Sequence, residues 1–555
     1  MTDSLPGPHP KGSPHPDRRW VLYFALIAML VTTLPYFVGY AVQGEGWRFT
    51  GFVFGVEDGN TYIGKMLRGA QGDWLFRTPY TPMEQRGAFI FLPYLLLGKL
   101  TAPPNQHDQL VVLYHIFRFV GGILAVYAIY DFAALFLREQ RTRRWAVVMA
   151  TFGGGLGWFL VLVGQKNWLG SLPIDFYSPE TFSFLGTYGI AHLPWARAFF
   201  LWGLRSYLVR GGRCPHDQPQ AVCKLANWHP GFLWLLTGIA QPITGMVIGV
   251  VAGYQVLGLI FWQSLNLIKG KSADWELVTG YIRTALQAGV IALPLVLYNL
   301  FTFTLDPFLK IWVEQSRIPA PHILHYLAAY GLVLPFVIAG IPAALRKKPE
   351  YGGFLVVWVV ASPILVSLPF SLQRRLIEGL WVVLVVLGLW AYEESRREGF
   401  KRAYLLWALT FPTTLFLLAG GFGVAARPAD PVFRPVDEVA AFEYLAESAQ
   451  EGEVVLSAYD TGNGIPAWAP VFVVIGHRPE SAGIRTIAPR VEAFYQSRTS
   501  DEDRISLLSE FGVDYVFWGP SERDYGDWDP SSAEYLYLVY QGKESQIFKV
   551  VPEAK

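Results

Sequence analysis

The stretch GVEDGNTYIGKMLRGAQGDW, Gly55–Trp74, decides how this chain is read. It follows an apolar run, Trp20–Val42, long enough to cross a bilayer, and it sets Glu57, Asp58 and Asp73 beside that bilayer among glycines and aromatics. A membrane tether needs no acids there. A reaction centre at the membrane surface does.

The rest of the composition agrees with a membrane setting. Of the 555 residues 52% are hydrophobic and only 16% charged, where a soluble globular chain carries about 25% charge. Long apolar runs recur from Trp20 to Val424 and then stop, which reads as an α-helical polytopic membrane protein with a soluble C-terminal tail. The net charge of +1 says nothing of nucleic acid, no basic stripe interleaved with aromatics appears, and no nucleic-acid partner is expected. The first nineteen residues are rich in Pro and Gly and read as a disordered cytoplasmic N-terminus. No small-residue cleavage site follows the first apolar run, so it reads as a retained span.

A span needs about 20 mainly apolar residues. Trp20–Val42, Leu110–Leu137, Trp145–Val163, Gly189–Val209, Trp228–Gln241, Ile243–Leu267, Val278–Phe301, His322–Leu345, Gly352–Phe370, Leu376–Tyr392 and Ala403–Val424 give about eleven within residues 20–424. Lys and Arg favour the cytoplasmic side of short loops. Arg18 and Arg19 put the N-terminus inside and the loop over 43–109 outside; REQRTRR at 138–144 is inside again. Only one full span fits between, so GAFIFLPYLLLGKL (87–100), short and broken by Pro93, reads as a juxtamembrane or re-entrant helix. Arg210, Arg213, Lys224, Lys269, Lys271, Arg346–Lys348 and the 396–402 cluster then fall inside, and the tail from Ala425 outside. The expected location is the plasma (inner) membrane.

Against that charge rule, Arg77, Arg86, Arg197, Arg317, Arg374 and Arg375 lie on the outer face, while His115 and Arg118 sit within the second span and His192 opens the fourth. An ionisable group inside a span marks function by default, with snorkelling to lipid phosphates as the alternative. Carboxylates supply a general base or ligate a divalent cation, and arginines match phosphate geometry. Together they suggest attack on a carbon bonded to a lipid-linked phosphate. Asp58 and Tyr62 are four apart and share a helix face with Lys65 and Arg68. The competing structural role for Glu57 and Asp58 is a helix N-cap, and for Asp73 a turn. Trp74, Tyr80, Trp195 and Trp312 either stack on sugars or anchor spans at the interface. Cys214, His216 and Cys223 offer three zinc ligands without an evident fourth; reduced thiols are the plainer reading on a cytoplasmic loop.

In residues 425–555 charges return, and strand-like runs (EVVLSAY, PVFVVIGH, VDYVFWGP, YLYLVYQG, QIFKVVP) alternate with helical ones, as in a small extracytoplasmic α/β domain. The loops GHRPES and GPSERDYG follow apparent strands, where such domains often bind ligands, but no phosphate-loop or dinucleotide fingerprint is present. They read as lid or scaffold.

An acidic pair after the first span, then Tyr, Arg and GDW, then a Pro-containing juxtamembrane helix, resembles the GT-C superfamily of membrane glycosyltransferases. The nearest flavour is the protein O-mannosyltransferase and aminoarabinose transferase group. The resemblance implies transfer of a sugar from a polyprenyl-phosphate-linked donor to an unidentified extracytoplasmic acceptor. By position it puts the catalytic carboxylate on Asp58, with Glu57 as neighbour or substitute. SLQRRLIEGL resembles the basic segment that meets the donor phosphate, mapping to Arg374 and Arg375, with Arg197 and Arg118 as further phosphate-binding candidates. Tyr62, His192 and Arg86 are the expected substrate-binding residues, and a divalent cation is left open. A transporter or lipid flippase is the rival reading, but no repeat is visible and the unusual charges cluster at the outer ends of spans. A sensor or assembly scaffold is a third.

Overall fold

The structure, a computed structural model, describes residues 15–211, 228–347, 349–395 and 403–552. Most of them form helices, because a backbone in hydrocarbon must satisfy its own hydrogen bonds. Among the described residues, seven helical segments are long and apolar enough to cross a membrane, and a bent pair would make eight. The chain is a multi-pass membrane protein. Several of the eleven expected segments are interrupted. His322–Leu345 becomes two helices, Ile323–Tyr330 and one starting at Leu334, meeting at 79°. Trp145–Val163 is split between Gln140–Phe152 and Gly157–Leu162. The break is held by Asp175, whose carboxylate accepts the N–H groups of Gly155 and Gly157 and the Thr413 hydroxyl.

We label the elements around the acidic stretch. Helix α1 is His15–Val42, α2 is Val56–Ala70, α3 is Leu92–Gly98 and α4 is Gln106–Ala133. Helix α1 leaves Tyr23, Ile27, Leu30 and Phe37 exposed, the apolar face a lipid-bathed helix carries. The short α3, as Pro93 foretold, lies against α2 and does not span.

Beyond the bundle, five strands pair in the order β4-β3-β5-β7-β6: β3 (Val454–Leu456), β4 (Phe472–Val473), β5 (Tyr515–Trp518), β6 (Leu536–Gln541) and β7 (Gln546–Val550). Strands β4, β3 and β5 are parallel; β7 and β6 are antiparallel to their neighbours. The side-chain period of two builds two cores. Leu456, Val516 and Phe548 pack on one face with Val491 and Leu508, whereas Val455, Phe517 and Ile547 pack on the other with Phe442 and Leu445.

Two features lock this sheet domain onto the stretch between α1 and α4. Strand β1 (Trp47–Phe49) pairs antiparallel with β2 (Phe433–Pro435). Tyr80, fully buried, belongs to the second core of the sheet domain and donates its hydroxyl to the Asn463 carbonyl. The loop carrying the acids is therefore wedged between bundle and sheet.

Candidate active site

Helix α2 opens at Gly55, whose left-handed φ of 58° turns the chain sharply into the helix; no side chain caps it. Glu57 and Asp58 thus occupy the first turn rather than the cap, where the positive helix end favours negative charge. The two acids then diverge. Glu57 accepts a short hydrogen bond from the Tyr459 hydroxyl of the sheet domain, and Tyr459 in turn accepts the Arg478 N–H at 2.8 Å. Asp58 Oδ1 lies 3.4 Å from His477 Nε2. The two acids have different partners, and among the described residues no group of three His, Cys, Asp or Glu is placed to hold a metal. The Cys214–His216–Cys223 cluster lies outside the described residues.

The Asp58 side chain remains 58% exposed, so an incoming group can reach it. Burial pushes its carboxyl up, but the His477 hydrogen bond and the charges of His477, Arg375 and Lys65 outweigh that and hold it below the usual carboxylate range. One and two turns further along α2 come Tyr62 and Lys65. Tyr62 stacks on Tyr94 of α3 at 4.8 Å and on Tyr114 of α4 at 5.9 Å. Burial, and then the Asp58 charge, push its hydroxyl well above the usual range, so it stays protonated. His192, at the start of a helix running to Gly211, meets the Tyr62 ring edge-on at 5.6 Å and bonds the Tyr94 hydroxyl at 2.8 Å.

Lys65 is 1% exposed and paired at 2.7 Å with Glu480, itself 3% exposed. Phe91 and Phe76 also flank the ammonium, at 4.7 and 5.3 Å. Arg68 and Arg77 both bind Asp73, which is more than a turn residue.

The arginines separate by environment. Arg374 and Arg375 occupy a short 3-10 turn, Gln373–Ile377. The charge of Arg375 acts on both Asp58 and Tyr62. Its one carboxylate contact among the described residues is Glu180, at a long 3.4 Å, and its Nε, although buried, makes no hydrogen bond there. Arg374 lies over the Tyr177 ring at 4.5 Å, its Nε likewise unbonded.

Arg197 and Arg118, expected to bind phosphate, are both held by partners within the protein. Arg197 is buried and grips both oxygens of Glu378 at 2.7 and 3.1 Å and the Pro179 carbonyl at 3.0 Å. Arg118, fully buried, donates to Thr32, Thr33, the Thr187 carbonyl and His115, and faces Tyr36. These donors are spent on side chains and carbonyls of the protein itself. Arg86 is exposed. Trp195 stacks on Phe117, and Trp312 packs among Phe76, Phe91 and Phe303, both as structural aromatics. His477 and Glu480 are the functional candidates that sequence reasoning missed. They stand in GHRPES, singled out only as a loop after a strand.

No protein-family model and no curated protein sequence matches the chain. Solved structures do. The oligosaccharyltransferase of Archaeoglobus fulgidus, tethered with an acceptor peptide containing the NVT sequon, aligns over 90% of this chain and 69% of its own at 14% identity and a TM-score of 0.56; it is also solved in complex with an inhibitory peptide and a dolichol-phosphate. ArnT of Cupriavidus metallidurans aligns over 97% of this chain and 99% of its own, at 14% identity and a TM-score of 0.50. The arabinofuranosyltransferase AftD from Mycobacteria covers 97% of this chain at 14% identity and a TM-score of 0.53, this chain spanning 40% of that one. The chain shares its overall fold with these three solved structures, as the resemblance to the GT-C superfamily led one to expect.

Proposed function

We propose that the protein is a glycosyltransferase that moves a sugar from a polyprenyl-phosphate-linked donor to an acceptor on the side of the membrane carrying α2, taken from the charge pattern as the extracytoplasmic face. What supports this best is the exposed Asp58 carboxylate, held below the usual carboxylate range by the His477 hydrogen bond and the charges of His477, Arg375 and Lys65. A carboxylate held in its charged form accepts the proton of an acceptor hydroxyl or amine as that group attacks the anomeric carbon. The bond between that carbon and the phosphate oxygen breaks, and the lipid phosphate departs with the electron pair. Arg375, with Arg374 beside it, neutralises the charge that grows on the phosphate. Tyr62, Tyr94 and His192 form an aromatic and hydrogen-bonding wall beside that point. Support comes from the fold shared with solved glycosyltransferases, one of them seen with a dolichol-phosphate. A proton-accepting carboxylate contributes about 10²–10⁴-fold in rate. Asp58→Asn is therefore expected to lower transfer by at least that lower bound, with protein abundance unchanged, in membranes supplied with labelled lipid-linked sugars. Normal transfer by Asp58→Asn removes the reading.

A further inference from the structure

The sheet domain does more than cover the site. Its loop after β4 carries His477 to within 3.4 Å of the Asp58 carboxylate through Nε2, while Nδ1 faces Glu480 Oε1 at 3.8 Å. The imidazole thus stands between two carboxylates from two parts of the chain. Glu480 is fixed behind it by the buried Lys65 ammonium and by the Thr78 hydroxyl. Burial pushes the Glu480 carboxyl up, but Lys65 and His477 outweigh it and hold it below the usual range, so it presents an anion to the ring.

The loop is built to hold that geometry. The Ser481 hydroxyl accepts the N–H groups of Gly476 and His477, and the Glu480 and Ser481 N–H groups return to the His477 carbonyl. From the bundle side Gln315 reaches the same segment. Its amide nitrogen faces the carbonyls of Arg478, Pro479 and Ser481 at 3.3, 3.2 and 2.9 Å, and its oxygen accepts the Gly483 N–H at 3.0 Å.

We propose that His477 is the positioning residue for Asp58: it donates its Nε2–H to Asp58 Oδ1 and so leaves Oδ2 aimed at the acceptor. The active site is then shared between bundle and sheet domain and is complete only when the GHRPES loop is docked. This rests on the reading of Asp58 as the proton acceptor.

The test uses the full-length protein in membranes, with lipid-linked sugars extracted from the native host as the labelled donor and release of the sugar from lipid as the readout. His477→Ala is expected to lower kcat at least tenfold with KM for the donor within twofold of wild type, because Arg375 and the tyrosine wall are untouched. His477→Gln places an amide N–H near the position of Nε2 and is expected to return kcat to within threefold of wild type. Melting temperature in detergent accompanies each variant, and if His477→Ala does not fold, His477→Gln decides alone. A kcat for His477→Ala like wild type overturns the proposal, as does a folded His477→Gln with kcat down tenfold. In either case an inactive Asp58→Asn leaves the proposed transfer intact; an active Asp58→Asn removes transfer and positioning together.

Discussion

Six arginines break the charge pattern in the sequence and look alike there; the side chains around them decide what each does. Arg197 and Glu378 are both almost fully buried and joined twice. Removing one partner of such a pair strands a charge, at a cost of about 3–5 kcal/mol. Arg197→Ala is accordingly expected to lower the melting temperature and membrane abundance sharply. Arg375, 39% exposed with a long contact to Glu180, is expected to behave oppositely: Arg375→Ala melts near wild type but loses about 10²-fold or more in transfer, the scale of removing one charge-stabilising donor. Thermal melts of the two variants side by side, with sugar release, check both. Asp58 was legible in the sequence as a candidate, because an acid beside a bilayer is costly to keep. Its partner His477 was not, since it lies 419 positions away and no local pattern links the two.

A second residue-scale consequence concerns Glu522, in the other loop singled out by sequence, GPSERDYG. It is fully buried, and its two oxygens accept the Ala458 and Gly519 N–H groups. Burial pushes its carboxyl up to about 7, against the pull of the hydrogen bonds from Ala458 and Thr461. An unfolded glutamate titrates near 4.3, so between about pH 4.3 and 7 the folded chain binds more protons than the unfolded one. Its contribution to stability is whole below that window and is lost as pH rises through it. The loss is on the order of 4 kcal/mol at most. Melts at pH 5 and pH 8 should show lower stability at the higher pH, and Glu522→Gln should flatten the difference. An unchanged pH slope in that variant would mean the proton sits elsewhere.

At the scale of elements, the site depends on how closely α2 and α3 approach. A Cβ on Gly69 would stand 2.1 Å from the Leu95 carbonyl oxygen, and one on Gly98 would stand 1.7 Å from that of Met66. Backbone meets backbone at both points, so neither neighbour can yield by rotating a side chain. Gly69→Ala is expected to push α3 off α2, costing about 1–3 kcal/mol as overpacking does, and to disturb the Tyr62–Tyr94 stack that α3 completes. Gly289→Ala, with nothing within 4 Å of the added carbon, serves as the control and should be neutral or slightly stabilising, alanine being the better helix former. Melting temperature and sugar release of the two variants make the comparison. Pro93 and the short apolar run announced α3 as a non-spanning helix, and the strand-like runs of the tail announced β3, β4, β5, β6 and β7. The β1–β2 pairing, between residues nearly 400 positions apart, carried no local signal. The break at Gly153–Leu156 was equally silent, because it is Asp175 and Thr413 from elsewhere that hold it open.

At the scale of the whole molecule, bundle and sheet domain meet through α2 and also through the segment after the long helix Trp275–Leu305. That helix exposes Leu286, Val290, Leu293, Phe301 and Leu305, a face for lipid. It ends at Asp306, whose carboxylate caps the next helix, Pro307–Gln315, through the Leu309 N–H at 2.9 Å. Phe308 and Leu309 then bury against Phe76, Ile90 and Ala482, which brings Gln315 to the loop that presents His477. Gln315→Ala removes the amide that faces three carbonyls and the oxygen that accepts from Gly483. Water can reach this rim and replace those bonds, so global stability should fall by only about 1 kcal/mol, the net worth of an ordinary hydrogen bond. Local opening, by contrast, has its own free energy, and the 477–483 segment loses its tie to the bundle. Hydrogen exchange over 477–483 is expected to quicken at least tenfold while exchange in α2 stays slow, and sugar release should drop several-fold with the melting temperature nearly unchanged. Unaltered exchange in that loop would show that the sheet domain is held by α2 and the β1–β2 pairing alone, with no part played by the helix that ends at Gln315.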